Sequence, residues 1–234
     1  MQKSLFFRIL ACMLRYTQNI FKIKSTTLLL ILSIFSLSLS ALRYFFAKDI
    51  FLLFLIWNLF LAFIPWFFAS IIYAGRPKHK IVIVVLILLW LLFFPNAPYI
   101  LTDFIHLGKG KPKFFWYDFI LILSYGFTGL LYTFVSLDFI KKIMLREFSV
   151  EVPFFVSALL LYISAFGIYL GRFLRWNSWD VFTKPNDVLA DVASRVVNPF
   201  FYPETWWFTL LFGTLLSLMY WSYPIFSYDE FGKK

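Results

Sequence analysis

The residues best placed to do chemistry lie in a polar block, residues 94–106, at the end of an apolar stretch. Asn96 stands between two prolines, and Asp103 and His106 follow it three positions apart. If the helix continued, this spacing would place Asp103 and His106 on one face, where the carboxylate would orient the imidazole as a general base. The alternative is structural: Asp103 caps a short helix at the membrane surface, and His106 faces water.

A second block, residues 171–180, carries two arginines, two tryptophans, an asparagine and an aspartate. The spacing of Arg172 and Arg175 predicts a shared helical face, and the guanidinium fork suits phosphate or carboxylate. An aromatic belt with snorkelling arginines is the competing explanation. The residues that we predict to bind a ligand are Asn96, Arg172, Arg175, Trp176, Asn177 and Asp180.

The sequence gives little support for a metal site or for cysteine chemistry. Asp103 and His106 are too few ligands for a metal site on their own, and no HExxH pattern occurs. Cys12 is the only cysteine, so neither an internal disulfide nor a Cys-based metal site can form. We therefore predict no metal site, and the sequence identifies no cofactor.

The composition is that of a membrane protein. Of 234 residues, 62% are hydrophobic and 15% charged, whereas a soluble domain has about 45–50% apolar and about 25% charged residues. The net charge is +10. The basic residues lie between the apolar stretches, where they meet anionic headgroups. We therefore expect membrane lipids as partners, an anionic lipid or lipid-linked ligand among them, and no nucleic acid.

The apolar stretches predict an all-α, polytopic transmembrane helical bundle. Six of them approach the roughly 20 residues that cross a bilayer; they are residues 26–46, 50–73, 81–101, 117–140, 153–171 and 205–223. We predict one transmembrane domain over residues 26–223, followed by a short cytoplasmic tail, 224–234. Residues 1–25 have the pattern of a basic amphipathic helix on the membrane surface, or they only form a positive flank for the first span.

The distribution of positive charge predicts the orientation. Of the 22 lysines and arginines, 13 lie on the side of the N-terminus and nine on the other. The positive-inside rule then places both termini in the cytoplasm. Both polar blocks would face outward.

Two further features concern helix geometry. Pro95 and Pro98 remove backbone donors, which predicts a third span broken by prolines. Such discontinuous helices often form binding sites, although a proline kink that serves packing is equally open. Gly167 and Gly171 form a GxxxG pair, which predicts a close helix–helix contact within the chain or between copies.

The sequence resembles the DUF1361 family of bacterial integral membrane proteins. The resemblance rests on the segments FPNAPYILTDFIH, residues 94–106, and GRFLRWNSWD, residues 171–180. It covers roughly residues 28–223 and implies a location in the bacterial cytoplasmic membrane. No biochemical role is established for that family, so the resemblance implies no catalytic residues.

Two functional hypotheses remain open. In the first, the protein is a non-catalytic binding, assembly or transport component whose arginines hold an anionic headgroup or a partner. In the second, it is a membrane-embedded enzyme that acts on a lipid-linked substrate. His106 would then be the general base, oriented by Asp103, while Arg172 and Arg175 would hold phosphate.

Overall fold

The structure is a computed structural model that describes Tyr16, residues 19–21 and residues 23–227, with side chains described as far as residue 223. The all-α prediction is confirmed: 84% of the described residues are helical, and none of them lies in a strand. The α-helices are α1 (Lys24–Ala47), α2 (Phe54–Gly75), α3 (Lys80–Phe93), α4 (Asn96–Tyr99), α5 (Phe115–Phe148), α6 (Phe154–Phe173), α7 (Asp180–Thr183), α8 (Pro185–Val197) and α9 (Pro203–Ser227).

Five helical stretches among the described residues are long and apolar enough to cross a membrane. They are Lys24–Ala47, Phe54–Gly75, Lys80–His106, Pro112–Phe148 and Phe154–Phe173. These stretches overlap the first five predicted spans. The sixth predicted span, 205–223, is helical as part of α9. It is not among the five, so a six-span topology stays a prediction.

The chain divides into two compact units, an N-terminal unit (Met1–Glu151) and a C-terminal unit (Val152–Lys234). In the N-terminal unit the Pro112–Phe148 stretch is 78% buried, against 22–44% for the other three stretches. The helix α5 within this stretch is therefore the centre of the unit, and α1, α2 and α4 pack on it. In the C-terminal unit α6 packs along α9, and Tyr162 Oη lies 2.7 Å from Thr214 Oγ1.

The first polar block follows the third long helix directly. The helix α3 ends at Phe93, the single turn of α4 follows, and a 3₁₀-helix covers Ile100–His106. Pro95 and Pro98 stand at the change from one helix to the next, where a proline's missing N–H is tolerated. The proline break in the third span stays a prediction.

Two predicted segments fall largely outside the described residues. Most of the interfacial segment 1–25 is one of them, although Tyr16 Oη lies 2.8 Å from Ser70 Oγ of α2. The tail 224–234 is the other. Between α7 and α9 the chain forms the short helix α8.

Candidate functional site

Asp103 is a fully buried charged residue of the first polar block, with 0% of its surface exposed. Its carboxylate Oδ2 accepts a hydrogen bond of 2.7 Å from Asn58 Nδ2. Asn58 belongs to α2, so this bond joins the second and third long helical stretches. Ionisable groups at this depth are costly unless they are partnered. Asn58 is a polar residue within an apolar stretch, and its partner therefore lies 45 positions along the chain.

His106 lies on the same 3₁₀-helix as Asp103, one turn later. Three residues complete a 3₁₀ turn, so the two side chains leave the same side of that helix. The His106 ring is half-buried and contacts Phe54 edge-on, with the ring centroids 4.9 Å apart. Asn96 is half-buried at the start of α4. The N-terminal unit thus holds the first three predicted site residues on α4 and on the 3₁₀-helix that directly follows it.

The same unit contains a buried ion network that was not predicted from the sequence. Arg43, near the end of α1, is only 3% exposed. Its Nε donates to Asp118 Oδ1 at 2.7 Å, and its Nη1 donates to Asp49 Oδ1 at 2.7 Å. The guanidinium also lies over the Phe114 ring, 4.8 Å from the centroid. One arginine therefore joins α1, α5 and the connection that follows α1.

Lys111 completes this network from the connection before α5. Its Nζ lies 3.3 Å from Asp49 Oδ2 and donates to the Ala47 carbonyl at 2.7 Å. Burial acts to raise the pKa of Asp49, but hydrogen bonds from Arg43 and Lys111 outweigh it and lower the pKa below the usual value. The signal in the sequence was a lone arginine within an apolar stretch, because such residues need a partner.

The second polar block begins where α6 ends. The helix stops at Phe173, and Arg175 adopts a left-handed backbone with φ +64°. The Trp176 N–H donates to the Leu170 carbonyl at 3.2 Å, which closes the helix end. The prediction that Arg172 and Arg175 share a helical face is therefore wrong, since Arg175 lies beyond the helix.

Arg175 is exposed, and within the part of the chain that the structure describes its guanidinium has no ion pair or hydrogen bond. Arg172 is half-buried in the last turn of α6. Trp176 is held in place, because its Nε1 donates to Asp191 Oδ2 of α8 at 2.7 Å. Asp191 also forms a 2.9 Å ion pair with Arg195.

Asn177 and Asp180 form a local turn. Asp180 Oδ2 accepts hydrogen bonds from the Asn177 backbone N–H at 2.7 Å and from Asn177 Nδ2 at 3.2 Å. The backbone bond is the main reason why the pKa of Asp180 falls below its usual value. Asp180 therefore carries a negative charge near neutral pH, and this charge fixes the turn that follows Arg175.

The structure therefore places Asn96, Asp103 and His106 in the N-terminal unit and residues 172–180 in the C-terminal unit. Among the described residues, no group of three or more His, Cys, Asp or Glu side chains is arranged to hold a metal ion.

Comparison with known proteins gives a family but no activity. No curated protein and no solved structure matches the chain. One family model matches residues 57–219, and its description reads "Protein of unknown function (DUF1361)". The matched range includes both polar blocks and extends over more than half of the chain. The protein therefore belongs to the DUF1361 family.

Proposed function

We propose that this protein is a multi-pass protein of the bacterial cytoplasmic membrane, with six spans and both termini in the cytoplasm. Five helical stretches are long and apolar enough to cross a bilayer, and α9 occupies the sixth predicted span. In the N-terminal unit, Arg146 Nη1 donates to the Tyr73 carbonyl at the end of α2. Two of the basic connections therefore lie at one end of that unit, as the positive-inside count assumes.

The function that the geometry supports best is the binding of an anionic headgroup or anionic partner by the turn after α6. The observation that carries it is Arg175, an exposed guanidinium with no partner in the described part of the chain. A guanidinium in this state is available for bidentate contact with a phosphate or carboxylate. Trp176, fixed by Asp191, lies beside it with the amphipathic ring typical of the headgroup region.

The backbone of Arg175 adds to this argument. A left-handed conformation costs a residue other than glycine about 1–2 kcal/mol. A cation at a helix C-terminus recovers some of this cost from the helix dipole, about 0.3–1 kcal/mol. Glycine would adopt the conformation without the cost, so the backbone geometry does not require an arginine at this position.

Replacing Arg175 with glycine is therefore expected to separate stability from binding. We expect Arg175→Gly to leave the stability unchanged or raise it by about 1 kcal/mol, because the strained backbone is relieved. The retention of anionic lipid should fall about tenfold, since a charge-assisted contact is worth about 1.5–3 kcal/mol. Native mass spectrometry of the protein released from nanodiscs that contain phosphatidylglycerol measures retention, and thermal unfolding measures stability.

Ser149→Gly is the matched control. Ser149 also has a left-handed backbone at a helix end, with φ +55°, and it carries no charge. Its replacement should change stability in the same direction and leave lipid retention unchanged. Equal lipid retention in Arg175→Gly and the wild type would contradict the proposed binding role.

The enzyme hypothesis keeps one specific observation in its favour, the juxtaposition of buried Asp103 and half-buried His106 on one 3₁₀-helix. If His106 is a general base, His106→Gln should abolish turnover, because glutamine keeps hydrogen bonding but cannot accept the proton. Mass spectrometry of envelope lipids and lipid-linked glycans would compare a deletion strain, the restored strain and the variant. A species that accumulates in the deletion strain and in His106→Gln would favour the enzyme. Accumulation in the deletion strain alone would exclude His106 as the base.

A further inference from the structure

A second candidate binding site lies in the N-terminal unit, at the end that carries the basic connections. A cavity of about 520 Å³ opens between the approach to α1, the end of α2 and the last turns of α5. Arg76, Lys142 and Arg146 line it together with Asn19 and Tyr73, and no carboxylate does. None of these residues belongs to either polar block that the sequence analysis selected.

One wall of the cavity is held by hydrogen bonds. Arg146 donates from Nη1 to the Tyr73 carbonyl at 3.1 Å and from Nη2 to the Ile72 carbonyl at 3.0 Å. Asn19 Nδ2 donates to the Ala74 carbonyl at 3.3 Å. All three carbonyls lie in the last turn of α2, where carbonyls run short of helical partners; the Ile72 carbonyl also accepts the Arg76 backbone N–H at 3.2 Å. Arg146 also pairs with Glu147, so it shapes the wall and contributes less free charge than its neighbours.

The other two cations are exposed, and in the described residues neither forms an ion pair or hydrogen bond through its side chain. Arg76 has a left-handed backbone, with φ +49°, directly after α2. Lys142 Nζ lies 5.8 Å from the centroid of the Tyr73 ring, which stacks on Phe139 at 4.4 Å. Two exposed cationic side chains therefore line one cavity beside the stacked Tyr73 ring.

We propose that this cavity binds a phosphate group. Arg76 offers a bidentate fork and Lys142 a compact ammonium, the two kinds of cation that hold phosphate in proteins. Ile23 and Leu145 add apolar surface to the lining, and the cavity lies where two candidate spans end. The ends of membrane spans are where lipid headgroups lie. The phosphate belongs either to an anionic lipid or to a soluble phosphate ester. This site is independent of the proposed role of Arg175.

The test uses the full-length protein in nanodiscs of phosphatidylcholine. Binding of short-chain phosphatidic acid and of glycerol phosphate is measured for the wild type and for the double variant Arg76→Gln/Lys142→Gln. Both measurements are repeated with Arg175→Gly added to each protein, which separates this site from the one proposed after α6. We expect the double variant to bind phosphatidic acid about tenfold more weakly or worse, because both unpaired cations are lost. Binding of phosphatidic acid alone would identify a lipid headgroup as the ligand, whereas equal binding of glycerol phosphate would identify a soluble ester. Both results support a phosphate site.

Lys78→Gln is the control for the loss of a nearby positive charge outside the cavity. Lys78 is exposed in the same connection as Arg76, but it does not line the cavity. Its replacement should leave binding within about twofold of the wild type, since long-range attraction is screened within about 10 Å at ordinary salt. Equal losses in Lys78→Gln and the double variant would overturn the proposal, as would unchanged binding in the double variant. Thermal unfolding of each variant confirms that the proteins compared are folded.

Discussion

Replacing Arg43 with leucine is expected to destabilise the protein by about 3–5 kcal/mol, because it leaves a buried carboxylate without its counterion. Asp118 is only 3% exposed and receives two hydrogen bonds from Arg43, at 2.7 and 3.3 Å. Asp49 is 25% exposed and keeps Lys111 as a second partner. The loss of Arg43 therefore destabilises Asp49 less than it destabilises Asp118. Reversible unfolding in mixed micelles with increasing denaturing detergent measures the change.

The double variant Arg43→Leu/Asp118→Leu distinguishes a lost ion pair from damaged packing. Removing both partners also removes the uncompensated charge, so we expect the double variant to recover most of the stability lost in Arg43→Leu. A double variant as unstable as the sum of the two single variants would contradict the assigned pairing.

Replacing Gly129 with alanine is expected to destabilise the N-terminal unit by about 1–3 kcal/mol through overpacking. A Cβ atom at this position would lie 2.5 Å from the backbone carbonyl oxygen of Ala97. Backbone cannot move aside as a side chain can, so α5 and α4 would have to separate. Because α4 leads directly into the helix of Asp103 and His106, the change would also displace the first polar block. Thermal unfolding of the purified variant measures the effect.

Gly126→Ala is the matched control, one turn earlier on α5. A Cβ atom there would lie 3.2 Å from Leu101 Cδ2, the end of a side chain that can shift. Alanine is favoured over glycine in a helix by about 1 kcal/mol, so we expect this variant to be neutral or slightly stabilised. Similar destabilisation of both variants would show that Ala97 is not the cause.

The helical class and the positions of the long helices were predictable, because hydropathy is a local property and each span is one continuous apolar stretch. The partners of the buried polar residues were not. Asn58 was visible as an interruption of the second span, but its partner Asp103 lies 45 positions away. Arg43 and Asp118 are 75 positions apart. Only the packing of α1 and α2 on α5 brings such pairs together.

The second polar block shows a different limit of prediction from sequence. The spacing of Arg172 and Arg175 predicted a common helical face, on the assumption that the helix continued. The helix instead ends at Phe173, and the bond from the Trp176 N–H to the Leu170 carbonyl turns the chain. A helix end without glycine is hard to predict from sequence. Residues such as arginine seldom adopt the left-handed backbone that ends this helix. The same turn leaves Arg175 exposed.

The measurement that tests the account most directly is the sidedness of the turn after α6. Cys12 is the only cysteine, so a Cys12→Ser background allows single cysteines to be labelled with a membrane-impermeant maleimide in intact bacterial cells. We predict that Lys184→Cys, exposed shortly after the turn, reacts in intact cells. Lys78→Cys, exposed between α2 and α3, should react only after the membrane is permeabilised. The reverse pattern, or equal labelling of both positions in intact cells, would contradict the proposed topology and the outward-facing site.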